Sequence, residues 1–177
     1  MLTPVASDTP ATRVHRIEVH PQPHAGDPIA DRVIREAAAL GLTVTAAHTA
    51  RVYLIEAAIN DDTLARITEG LLADPVTETA VGGASDNTNA ALIEVHPLPG
   101  VMDPAAASVR DALRDLYQIT SEVSTGIRYT FDGISQAQAD TLAARLLMNP
   151  VVQAAPTAPP PPPAHPQRHH HPTPRTP

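Results

Sequence analysis

IEVHPQPHAGDP at residues 17–28 recurs as IEVHPLPGVMDP at residues 93–104. The spacing is 76 residues, and at that offset Ala30, Val33 and Tyr53 also meet identical residues at Ala106, Val109 and Tyr129. After one deletion near Ala58 the two copies meet again, where LLADPV at 71–76 faces LLMNPV at 146–151. Duplication is the simplest origin of such a pattern, so one short fold is expected twice.

Each copy reads as alternating strands and helices. Ile17 and Val19 alternate with Glu18 and His20, and Ile93 and Val95 with Glu94 and His96, the period of a strand with one buried face. Pro21 and Pro97 end those strands. Asp27 and Asp103 stand directly before Pro28 and Pro104, an N-cap followed by proline at the first helical position, where its missing N–H costs nothing. The first helix buries Ile29, Val33, Ala37 and Leu40 and stops at Gly41. Its counterpart buries Ala105, Val109, Ala112, Leu113 and Leu116.

Two apolar runs follow in each copy, LTVTAAH with RVYLIEAAI and ITSEVS with IRYTFDGI. Turns at Thr49-Ala50 and Thr125-Gly126 fold each pair into a hairpin. Asn60 and Ser135 then cap second helices, Ser135 forming a capping box with Gln138. Leu64, Ile67 and Leu71 form one buried stripe; Leu142, Leu146 and Leu147 form the other. Pro75 and Pro150 stop these helices, and VTETAV and VVQAA close the units as short strands.

The fold class expected is α+β: two tandem βαββαβ two-layer units forming a pseudo-dimer, each with both helices on one sheet face. Units of about 65 to 70 residues are marginal alone, so linking two lets each cover the other's exposed face or edge. Residues 13–81 form the first unit, 82–90 a linker, and 91–155 the second. Residues 1–12 are expected to be disordered, and so is the proline-rich C-terminal tail at 156–177.

Composition narrows the function. All twelve basic residues are Arg and there is no Cys or Lys, which removes thiolate metal sites, a cysteine nucleophile and a phosphate-loop lysine. Aromatic residues are 2% of the chain, too few for base-stacking platforms. Residues 1–155 carry 10 Arg against 19 acidic residues, a surface that repels nucleic acid. No apolar run reaches the ~20 residues of a membrane span. The N-terminal sequence lacks a charged start followed by an apolar stretch, so a cytoplasmic location is expected with no membrane or nucleic-acid partner.

No catalytic, cofactor-binding or metal-ligating set emerges. Gly82-Gly83 opens no helix, and GxGxxG is absent. Glu18, His20, Glu94 and His96 share one strand face and could be imagined as paired acid–base sites, but ordinary alternation on a solvent or interface face is the simpler account. With Arg128 on a later strand, they are the candidate interface residues. Asp27, Asn60, Asp103 and Ser135 are assigned to helix capping. His165, His169, His170 and His171 lie in the low-complexity tail, where chelation is a compositional signal only.

IEVHPLPGVMDPAAASVRDAL at 93–113 resembles the first strand and helix of PurS, the small subunit of phosphoribosylformylglycinamidine synthase, and LLMNPVVQ at 146–153 resembles that family's closing motif. Tandem units of this kind also resemble the N-terminal region of the large, fused form of the synthase. The chain departs from the family pattern after each Asp-Pro, where Ile29-Ala30 and Ala105-Ala106 replace Gln-Gly, and at Gly126-Ile127-Arg128, where Gly-Lys is common.

The resemblance implies a noncatalytic assembly component of this purine-biosynthetic enzyme, inactive alone and without a cofactor, that bridges the glutaminase and synthetase parts. A regulatory module holding a small ligand, or an N-terminal fragment of the fused synthase, are the alternatives.

Overall fold

In the computed structural model, residues 10–85, 90–149 and 153–154 are described, and they form one sheet covered by four helices. The expectations for residues 1–9, for 86–89 of the linker, for Pro150 and for the tail lie outside the described residues.

The strands are β1 (Arg13–Pro21), β2 (Ala46–Ala57), β3 (Glu78–Gly82), β4 (Ala91–Pro97), β5 (Glu122–Asp132) and β6 (Gln153–Ala154). They are antiparallel throughout, in the order β3-β1-β2-β5-β4-β6. The first half therefore contributes one side of the sheet and the second half the other. They meet along β2 and β5, edge to edge, from Ala46↔Asp132 to Glu56↔Glu122.

The helices are α1 (Pro28–Ala39), α2 (Asp61–Ile67), α3 (Pro104–Tyr117) and α4 (Gln136–Leu142). Each of α2 and α4 continues through a π-helical turn, over Thr68–Leu72 and Ala143–Leu147. The Met148 N–H closes the second of these turns on the Ala143 carbonyl at 3.2 Å.

Local chemistry accounts for the helix starts. Asp27 and Asp103 accept the N3 amides of Ala30 and Ala106 at 3.0 and 2.9 Å, with proline following each at the first helical position. Asn60 accepts from Thr63 N–H at 2.8 Å, and Ser135 forms a reciprocal box with Gln138. The capping aspartates do a second job. Asp27 also accepts the Thr49 amide at 2.7 Å and its hydroxyl at 2.9 Å, and Asp103 takes the same two groups of Thr125 at 3.1 and 2.9 Å. Each carboxylate thus fixes its helix to a central strand just past the last pair of the β1–β2 and β4–β5 ladders.

Two expectations need correction. Thr49-Ala50 and Thr125-Gly126 are not turns: β2 and β5 run through them, so each half is βαβαβ. Continuous pairing between the two central strands overrides the weak local turn signal, and Gly126 serves close approach in place of a turn. The helical stripes are also rotated. Ala30, Val33 and Ala37 are buried on α1 while Ile29 and Leu40 are exposed. On α3, Ala106 and Leu113 are buried while Ala105 and Leu116 are exposed. The Asp–Thr anchors set that rotation, and the small alanines let the helices approach the sheet.

All four helices cover the face made by the odd-numbered residues of β1, β2, β4 and β5, in two hydrophobic clusters. One joins Val33 and Ala37 of α1 to Phe131, Ile93 and Leu142. The other joins Leu113 of α3 to Ile17, Ile55 and Ile67. Each cluster draws on both halves of the chain, so the halves share their core.

Candidate functional site: a buried charge network on the open sheet face

Even-numbered residues of the central strands point away from the helices. The register sets Glu18 opposite Val52, Val52 opposite Gly126, Arg128 opposite Ala50, and Glu94 opposite Arg128. Short residues at 50, 52 and 126 leave room above the sheet centre, and long charged side chains from both halves reach across it.

Arg16 holds both carboxylates: its Nη2 donates to Glu18 Oε1 and to Glu94 Oε2, each at 2.6 Å, and its Nη1 donates to Glu94 Oε1 at 2.9 Å. Arg128 reaches from the other half, donating through Nη1 to Glu18 Oε1 at 2.7 Å and through Nη2 to the Ser85 carbonyl at 2.6 Å. Ser85 returns its own N–H and hydroxyl to Glu18 Oε2 at 3.1 and 2.6 Å, and its hydroxyl lies 3.1 Å from His20 Nε2. On the far side, His96 Nε2 sits 2.6 Å from Glu94 Oε1, and its Nδ1 lies 3.0 Å from the Thr125 carbonyl oxygen.

Glu18 is fully buried, and Glu94, His96 and Arg128 are nearly so. Burial by itself pushes the Glu94 carboxyl up, but hydrogen bonds from His96 and Arg16 outweigh it and hold the group down to about 2. Glu18 is lowered further for the same reason, with His20, Ser85, Arg16 and Arg128 as its donors against the opposing effect of burial. Two guanidiniums balance two carboxylates, the condition under which buried charges are tolerated.

This arrangement holds charge in place and offers little chemistry. Both carboxylates are saturated and too acidic to act as bases near neutrality. Glu18 contacts the Ser85 hydroxyl and the same His20 nitrogen that faces that hydroxyl. In a serine triad the acid orients the opposite ring nitrogen. Among the described residues no group of three or more His, Asp or Glu side chains is placed to hold a metal ion. No helix among them is long and apolar enough to cross a membrane.

The two halves hold their histidines differently. A methyl group on Gly126 would lie 2.5 Å from the His96 ring, so this glycine lets His96 lie flat on β5. The equivalent of Gly126 is Ala50, which already carries that methyl. His20 stands beside it and turns to Ser85, on the wall of a cleft of about 550 Å³ also lined by Gln22, Asp31, His48 and Thr130.

The structure thus brings Glu18, His20, Glu94, His96 and Arg128 into one network. Arg16 and Ser85 complete it, and sequence reasoning missed both. Arg16 carries a readable signal, since it lies two residues before Glu18 on the same strand face. Ser85 carries none, because a serine beside Gly82-Gly83 reads as linker.

The β4–α3–β5–α4 half also matches a known family. Residues 90–157 match PurS, phosphoribosylformylglycinamidine (FGAM) synthase. The match spans the whole PurS-like half, from the residue before β4 to beyond β6, and includes Glu94, His96, Asp103 and Arg128. It ties this half of the chain to FGAM synthase and purine biosynthesis. No curated protein matches the chain.

Proposed function

We propose that the chain is a tandem PurS-like protein: an internal pseudo-dimer of units at 13–81 and 91–155 that acts in the cytoplasm as a noncatalytic assembly component of FGAM synthase, bridging its glutaminase and synthetase parts. The observation that carries this reading is the PurS match over 90–157, in a half whose Glu94 and Arg128 are paired with Arg16 and Glu18 of the other half. The palindromic strand order and a β2–β5 joint built from equivalent strands support the pseudo-dimer.

On this reading Glu18, Glu94, His96 and Arg128 form the interface between the halves. His20, whose side chain is 29% exposed, is the member a partner can still touch. The chain supplies geometry to a reaction in which glutamine-derived ammonia and ATP are used by its partners. Co-sedimentation of the purified chain with the cognate glutaminase and synthetase components tests it. A three-component peak that disappears when the chain is omitted is expected, and three independent peaks would reject the reading.

The cleft beside His20 supports the small-ligand module as the second reading. Substitution of His48, which is exposed on the cleft wall, separates the two: it weakens ligand binding on the second reading and leaves assembly intact on the first.

A further inference from the structure

Strands β1 and β4 occupy equivalent places, yet their outer edges are closed differently. Against β1, β3 pairs from Ile17↔Gly82 to Pro21↔Glu78, and one step further the Gly83 N–H donates to the Arg16 carbonyl at 2.8 Å. Against β4, the described residues of β6 pair as His96↔Ala154 and Pro97↔Gln153. Among the described residues, no strand backbone reaches Leu92, the position equivalent to Arg16.

A side chain takes that place. Leu92 N–H donates to Gln136 Oε1 at 3.0 Å, and Gln136 Nε2 donates to the Leu92 carbonyl at 2.8 Å. A primary amide offers one acceptor and a donor side by side, the same pair a neighbouring strand residue would present. Gln136 is steadied there by a second bond from Nε2 to Asp140 Oδ1 at 2.9 Å within α4.

The backbone groups of an antiparallel strand alternate between its two sides, so Glu94 faces outward as Leu92 does. Two copies of β4 laid antiparallel about Ile93 would match Leu92 of each with Glu94 of the other. That closed, self-complementary pairing needs both groups of Leu92 to be free.

We infer that Gln136 closes the β4 edge against a second copy of this chain, acting as a one-residue substitute for the strand that protects β1. Unpaired edges template association with other chains, and a side chain that satisfies the edge backbone removes the template. The inference stands independently of any role in FGAM synthase.

Sedimentation velocity of full-length Gln136→Ala beside the wild type, over a range of concentrations, tests this. The variant is expected to shift toward twice the wild-type mass as concentration rises, with faster amide exchange at Leu92 in dilute solution. Adding Leu92→Pro should abolish the shift, because that N–H points to the edge and is not needed by the β4–β5 ladder. Gln136→Glu, which keeps the acceptor and loses the donor, should associate less than Gln136→Ala but more than wild type. Sedimentation equal to wild type in both Gln136 variants, or association that survives Leu92→Pro, would overturn the inference.

Discussion

Arg51 and Ile127 face each other in the β2–β5 ladder, and they are 76 residues apart, the offset at which the sequence repeats. The neighbouring pairs answer one another by the same offset: Ala50 faces Arg128, and Val52 faces Gly126. Two like units joined about a twofold axis through Arg51 and Ile127 require this register. It underlies the proposal of an internal pseudo-dimer.

The shared clusters give a first prediction. Val33 is buried with Phe131, and Leu113 with Ile17, so each half exposes core residues without the other. Residues 1–89 and 90–177, produced separately, should not be folded monomers. Mixing them should restore one cooperative thermal transition by circular dichroism. A fragment that sediments as a monomer and unfolds cooperatively would contradict the shared core.

The charge network gives a second. Arg128→Met leaves Glu18 buried with one guanidinium fewer and should cost about 3 kcal/mol, the scale for breaking a buried ion pair. Arg16→Met takes a guanidinium from both carboxylates and leaves Glu94 with no arginine, so it should cost at least as much. Because both arginines bind Glu18, the cost of the double variant should depart from the sum of the two single costs. Urea melts of the four proteins measure this; strict additivity would mean that the residues do not act as one network.

The pH dependence has a fixed sign. The Glu94 carboxyl is held down to about 2, against ~4.3 in an unfolded chain, so the folded protein binds fewer protons between these values. Its contribution is present above pH ~4.3 and is lost as pH falls toward 2, and Glu94→Gln should flatten that limb. Burial, and secondarily Arg13, lower His15 from its ordinary value near 6.5, so stability should begin to decline below pH ~6.5. Denaturant midpoints that stay flat from pH 7 to 5, or that decline equally in His15→Phe, would contradict this.

Gly126→Ala tests the close approach of His96. The added methyl would collide with the ring at 2.5 Å, so the ring must leave and its bonds to Glu94 and the Thr125 carbonyl must break. A cost of about 1–3 kcal/mol is expected, the range for overpacking a tight site. A variant as stable as the wild type, with His96 unmoved, would show that the strand adjusts freely.

Much of this fold was legible because the evidence for it is local. The alternation of Ile17, Glu18, Val19 and His20 marks β1, and Asp27-Pro28 marks the start of α1. The continuity of β2 was not legible, since Thr49-Ala50 is held extended by β5 and by Asp27, partners distant in sequence. The site divides the same way. Glu18 and Glu94 stand out through the repeated IEVHP, whereas the reach of Arg16 to Glu94 depends on the sheet joint that brings β1 and β4 toward each other across β2 and β5.

The central claim is that this chain assembles FGAM synthase without performing chemistry, and the most direct measurement is glutamine-dependent FGAM formation by the cognate glutaminase and synthetase with and without the chain. The account predicts a marked rise in turnover on adding it, while the chain alone hydrolyses neither ATP nor glutamine. Unchanged turnover on addition, or ATP hydrolysis by the chain alone, would contradict it.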